Sequence, residues 1–297
     1  MFHRSGERMR AEALVKQVKT IFSLPEIVIQ INEVLRQPEP NLMELESIIV
    51  HDPGLTASIL KVVNSSYYSF PAKVDTLSKA ITIIGLSELS AIVMGTAVTH
   101  RFKGIESTLM NMDIFWYHSV TRGVLAKNLA LRGQCGNTER FFIAGLLSSI
   151  GKLILFTQYP QQSAEMMRTG LQQDADLAAA ERQAFGFDYA ELSAELLKAW
   201  QLPSEIWEMI AYQLNPLQSP NHKTDACILH VASAIAGSIQ PCVSYDIHTQ
   251  PLDAVFNPGV LEYLNLAQEE VQSISLEALL QAMDVIGVLR PETMVIF

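Results

Sequence analysis

Few residues of this chain are spaced for chemistry, and those that are sit among apolar neighbours. The stretch Ala144-Gly-Leu-Leu-Ser-Ser-Ile-Gly-Lys-Leu-Ile-Leu155 is apolar on nearly every side, apart from the adjacent hydroxyls of Ser148 and Ser149. A serine becomes a nucleophile beside a positioned base, as on the strained Gly-x-Ser-x-Gly elbow. Leu-Leu-Ser-Ser-Ile-Gly is not that elbow, and no base is placed by spacing. The pair therefore reads as two small hydroxyls bonding the preceding helical turn. Gly151-Lys152 lacks the Gly-x-x-x-x-Gly-Lys-Ser/Thr pattern of a phosphate loop, so Lys152 reads as a snorkelling or partner-facing side chain.

The remaining polar candidates are scattered. His118 shares a helical face with Ile114, Thr121, Leu125 and Leu129 and so points at the core. It and His230 read as core histidines with one satisfied hydrogen bond each; the sharper reading is a residual metal ligand or a ligand-sensing group. Asp52 precedes Pro53 and reads as a helix cap, as does the helix end at Asn64-Ser65. The loop Tyr67-Tyr68-Ser-Phe70-Pro71 gathers aromatic rings, which suits either a protein contact or rings folded back on a junction. Cys135, Cys227 and Cys242 are odd in number and lack Cys-x-x-Cys spacing, so they read as reduced thiols.

The elements that must position these residues are helices throughout, with no clear strand alternation. A first helix is expected over residues 11–22, a second from Glu26 to about Arg36, and a third capped by Asn41 with Glu44 in capping-box position. Asp52-Pro53 opens a fourth. A short helix ends at Gly85 and another opens at Ser87. Residues 103–112 loosen into a polar linker, the expected subdomain boundary. Then come a helix over Asp113–Arg132, a single buried helix through Ala144–Leu155, and helices opening at Pro160, Asp174, Asp188 (a cap with Glu191), Ser204 and residue 223. Pro241 stops the last of these, a loop with Pro251 and Pro258 follows, then a short helix near Val260–Leu264 and a final one from Ser275 to Val288.

Taken in order, these fragments resemble the HDOD domain, a degenerate relative of the HD and HD-GYP phosphohydrolases. The resemblance rests on Leu24-Pro25, His51-Asp-Pro-Gly-Leu55, Asn64-Ser65, Ala80-Ile81 and Ile84-Gly85-Leu86. It continues through Phe115-Trp-Tyr-His118-Ser119, Ala144-Gly-Leu-Leu-x-x-Ile150-Gly151-Lys152-Leu153, Glu181, Phe185-Gly186, Trp200-x-Leu202-Pro203 and His230-Val-Ala232. It implies an all-α, HD-domain-like multi-helical HDOD fold of two packed helical subdomains. An N-terminal helix (1–23) would precede an HDOD domain over 24–285. Within it lie an N-terminal bundle (24–105) and an HD-like half (113–240), with a C-terminal helical extension over 241–297.

The resemblance also implies where a metal site would lie. An HD-type hydrolase gathers imidazoles and carboxylates on a divalent metal, which lowers the pKa of a bound water. Here the first ligand position is His118, while the adjacent His-Asp pair is replaced by Ser148-Ser149. Later ligand positions fall on Tyr189, on Tyr212-Gln213 and on Ser233. One imidazole does not hold such a metal, and neutral hydroxyls add neither charge nor basicity, so no metal, no cofactor and no catalytic residue is expected.

Composition narrows the partners. The 297 residues are 49% hydrophobic, enough for a large core, and carry a net charge of −10, which argues against non-specific nucleic-acid binding. The polar N-terminus argues against a signal peptide, and the longest apolar run, Phe141–Phe156, falls short of the roughly 20 residues that span a bilayer. Composition thus leaves a cytoplasmic protein without membrane insertion, and the family resemblance implies a bacterial signal-transduction output or scaffold protein that acts by binding other signalling proteins. Tyr67, Tyr68, Phe70, Lys152 and His230 are the candidate ligand or partner contacts. The competing readings are a divergent HD/HD-GYP-like metal-dependent phosphohydrolase and a cyclic-dinucleotide sensor without turnover, so a nucleotide second messenger remains a candidate ligand.

Overall fold

A computed structural model describes residues 10–18, 21–65, 67–68, 70, 72–101, 110–168, 174–239 and 257–289. Among these residues every regular element is helical. The first half holds α1 (Ala11–Val18), α2 (Glu26–Leu35), α3 (Leu42–Val50), α4 (Pro53–Val63) and α5 (Leu77–Arg101). The second half holds α6 (Met112–Arg132), α7 (Glu139–Leu147), α8 (Ile150–Gln158), α9 (Pro160–Arg168), α10 (Asp174–Phe185), α11 (Tyr189–Ala199) and α12 (Ser204–Ala211). A single 3₁₀ turn, Pro216–Gln218, leads to α13 (Lys223–Ser238), followed by α14 (Pro258–Leu264) and α15 (Gln268–Leu289).

The expected caps form because each satisfies backbone N–H groups that have no partner within the helix. Asn41 Oδ1 accepts from the N–H groups of Met43 and Glu44 at 3.0 and 3.4 Å. Asp52 accepts from Leu55 at 2.9 Å, and Asp188 from Ala190 and Glu191, both at 2.9 Å. Asn64 does more than close α4. Its Nδ2 donates to Val74 O at 2.7 Å and its Oδ1 accepts from Val74 N at 2.8 Å, so one side chain staples the base of the aromatic loop. At Gly85 the backbone turns to φ 81°, a region that favours glycine, and kinks α5 where the sequence places a helix end.

α6 is the axis of the second half and packs against α7, α13 and α15. α15 also touches α4 and α5, while α1 docks on α11, so the first and last described helices both join the halves. One buried apolar cluster extends from Ala11 to Leu289.

Three expectations need correction. The helix through Ala144–Leu155 is two helices: α7 ends at Leu147, α8 begins at Ile150, and Ser148 and Ser149 form the turn between them. The first helix ends at Val18 instead of 22. Among the described residues three helical stretches, Leu77–Thr99, Glu139–Gln158 and Gln268–Leu289, are long and apolar enough to cross a membrane by length and composition, so the apolar run around Phe141–Phe156 is not too short on that count. Protein already covers 83% of the Glu139–Gln158 window and 56% of the Leu77–Thr99 window, against 39% for Gln268–Leu289. The linker expected at 103–112 lies outside the described residues as far as 109, as do Pro241, Cys242 and Pro251.

Candidate functional site

A close backbone approach between two helices builds the site. α7 crosses α6 so tightly that a Cβ on Gly145 would stand 2.5 Å from Gly123 Cα. The contact exists because both residues lack side chains. It drives Arg122, the residue before Gly123, against the turn between α7 and α8. Its Nη1 donates to Ser148 Oγ at 2.8 Å and to Ser149 Oγ at 2.9 Å. Ser148 Oγ passes a bond back to Gly145 O at 2.9 Å, the back-bonding expected of a helical serine.

The network continues through other predicted positions. Gln213, 2% exposed, donates from Nε2 to Ser148 O at 3.0 Å. The Nδ1–H of His230 donates to Gln213 O at 2.8 Å. Burial holds the His230 pKa below the usual histidine value against the opposing pull of that carbonyl, so the ring is neutral at pH 7. Ser193 Oγ, on α11, donates to Tyr189 O and Ser148 O and accepts from Gly151 N at 2.8 Å, tying α8 to α11.

Thus Ser148 and Ser149 meet at Arg122, which the sequence did not single out, and Gln213 and His230 join them in turn through the carbonyl of Ser148. The signal for it was an arginine one turn after His118 on a core-facing helix. Arg122 is only 4% exposed, and no carboxylate pairs with it among the described residues. Among the described residues Arg122 Nε, His230 Nε2 and the hydroxyls of Ser119 and Ser233 are buried without a hydrogen-bond partner.

The other predicted positions are placed differently. His118 is half-buried and its Nε2 lies 3.0 Å from Ile239 O, past the end of α13. Tyr189 is fully buried; its N–H is taken by the Glu181 carboxylate at 2.7 Å, and its ring lies 4.3 Å below Lys152 Nζ, where the ammonium gains from the π-face. Tyr212 is half-buried beside Gln213.

These residues do not fit a divalent metal. A guanidinium stays charged at every accessible pH and would repel a cation bound in the same turn. Among the described residues no three His, Cys, Asp or Glu side chains come together as ligands.

The aromatic loop folds back. Tyr67 and Tyr68 pack edge to face at 4.9 Å, and Tyr68 stacks on Phe70 at 5.9 Å. Tyr68 OH donates to the Glu88 carboxylate on α5. Lys127 Nζ, on α6, lies 2.7 Å from Glu88 Oε2 and 5.0 Å from the Tyr67 ring centroid. Burial raises the Glu88 pKa, and the adjacent Lys127 opposes that. The loop is thereby clamped at the junction of the halves.

A cleft runs along that junction. Arg36 on α2 spans it, donating from Nη2 to Gln201 O at 2.7 Å and from Nη1 to Gln201 Oε1 at 3.1 Å. One recess, of about 430 Å³, is lined by Ile29, Glu33, Arg36, Leu196 and Trp200. Another, of about 400 Å³, is lined by Arg36, Leu86, Met94, Arg140 and Ile206.

Comparison with known proteins adds the following. A family model described as HDOD domain matches residues 21–216. A crystal structure from Shewanella amazonensis SB2B, provisionally named a phosphohydrolase, superposes with a TM-score of 0.73 at 22% identity, covering 93% of this chain and 98% of that one. One from Marinobacter aquaeolei VT8, provisionally named a signal transduction protein, gives 0.69 at 21% identity, covering 96% and 61%. At such identities the likeness is one of fold. An uncharacterised protein of Treponema pallidum is 21% identical over 211 residues, which are 71% of this chain; the chain spans 40% of that curated relative's length.

Proposed function

Because the chain belongs to the HDOD domain family, we propose that it is a non-catalytic signal-transduction output protein, bacterial and cytoplasmic, that works by binding other signalling proteins. The observation that carries this reading is Arg122. A buried guanidinium holds both serines of the turn where a metal-dependent relative would carry its His-Asp pair. Of the other matching positions only His118 keeps an imidazole; Tyr189, Tyr212, Gln213 and Ser233 carry two phenols, an amide and a hydroxyl, which supply no charge to a metal at neutral pH. The contact surface is the cleft along Arg36–Gln201, where apolar Ile29, Met94 and Ile206 lie beside charged Glu33 and Arg140.

The test has two arms. Purified full-length protein is assayed for bound metal and for turnover of cyclic di-GMP; stoichiometric metal with turnover would sink the reading. In the native cell, cross-linking at the cleft identifies partners, and Ile29→Asp with Arg36→Glu is expected to abolish that capture while leaving the melting temperature within a few degrees. Capture that survives both substitutions places the contact elsewhere.

A further inference from the structure

We infer that the Arg122 turn is an anion site, built to take a small oxyanion of the phosphate class. This rests on the reading that no divalent metal holds the site, and goes beyond it by naming what does. A buried charge is tolerated when it is paired, and a guanidinium cannot escape its charge by losing a proton. Arg122 is 4% exposed and forms no ion pair among the described residues. Its two bonds both leave from Nη1 and go to neutral hydroxyls, while Nε is buried with no partner.

Two more buried hydroxyls have no partner among the described residues and stand on the helices that carry Arg122 and His230. Ser119 stands one turn before Arg122 on α6, and its hydroxyl is buried and unused. Ser233 stands one turn after His230 on α13, and His230 is joined through Gln213 to the carbonyl of Ser148. A guanidinium fork with the hydroxyls of Ser148 and Ser149 beside it is the kind of donor set that recognises tetrahedral oxyanions. The site offers positive charge where an HD-type site would offer ligands for a cation, so the sign of what it binds is inverted.

The experiment uses the full chain dialysed into chloride buffer. Its melting temperature is followed on titration with sodium phosphate, with sodium chloride at matched ionic strength, with adenosine monophosphate and with manganese chloride. Phosphate is expected to give a saturable rise of roughly 5 °C at about 100-fold excess over its dissociation constant. Arg122→Gln is expected to abolish that rise. If that variant fails to fold, Ser149→Ala is expected to weaken phosphate binding about tenfold, the loss of one charge-assisted hydrogen bond. In the wild type, the Arg122 Nε–H nuclear magnetic resonance signal is expected to move on phosphate addition. A rise with the nucleotide alone supports the site and identifies the oxyanion as one carried on a larger ligand. No rise beyond chloride with either, or an equal rise in Arg122→Gln, overturns the anion site. If manganese is also silent, the metal-free reading survives that failure; stoichiometric manganese binding overturns both.

Discussion

Gly145 meets Gly123 so closely that a Cβ on the former would lie 2.5 Å from the Cα of the latter. That contact sets the height of the α7–α8 turn over α6 and brings Arg122 within reach of both serines. Gly145→Ala must push two backbones apart, which costs about 3 kcal/mol. Urea unfolding measures it, and a loss below about 1 kcal/mol would mean the crossing relaxes freely.

Glu88 and Lys127 form the buried pair that locks the aromatic loop between the halves, at 5% and 8% exposure. Lys127→Met leaves a carboxylate buried without its cation and should cost about 3–5 kcal/mol. Adding Glu88→Gln should recover much of that loss, because the orphaned charge is removed. A double variant as unstable as the single one would show that packing of Lys127 on Tyr67 and Tyr68 matters more than its charge.

Restoring the His-Asp pair by Ser148→His with Ser149→Asp should not restore a metal while Arg122 remains, since the new carboxylate would pair with the guanidinium. Elemental analysis after manganese loading is expected to find no stoichiometric metal. A full equivalent bound in this double variant would show that Arg122 yields its place.

Acid should destabilise the protein in two steps. Glu208 is buried, which opposes its charge, yet hydrogen bonds from Asn221, Ser219 and His222 hold its carboxyl at about 2, below the usual 4.5. A depressed carboxylate contributes stability that is complete above pH 4.5 and is lost as pH falls towards 2. His230 is held neutral by burial, so its contribution is complete above pH 6.5 and is lost as pH falls below it. Urea midpoints across that range should fall accordingly, with Glu208→Gln flattening the lower step. A lower step unchanged in Glu208→Gln would assign it to other carboxylates.

Much of the fold was legible in the chain because its signals are local. Asn41, Asp52 and Asp188 cap helices through bonds spanning two or three residues, and such bonds can be read from spacing. Gly85 kinks α5 by its own backbone freedom. The residue types at His118, Ser148, Ser149, Tyr189, Gln213 and Ser233 are likewise plain in the sequence, and with them the scarcity of metal-binding groups.

What tertiary structure decided depends on distance across the fold. The apolar run through Ala144–Leu155 carries the same periodicity whether it is one helix or two, and only its packing between α6 and α11 shows the break at Ser148–Ser149. The aromatic loop is held against the junction by a lysine some sixty residues later, Lys127, a contact that spacing alone does not announce. Arg122 gave almost no signal, because a polar side chain on a helix does not announce its partner. Two glycines set the backbone approach that places its charge between two serines. Hydrophobic periodicity reports which face is buried, whereas the chemistry of a buried charge is set by whatever the rest of the fold brings against it.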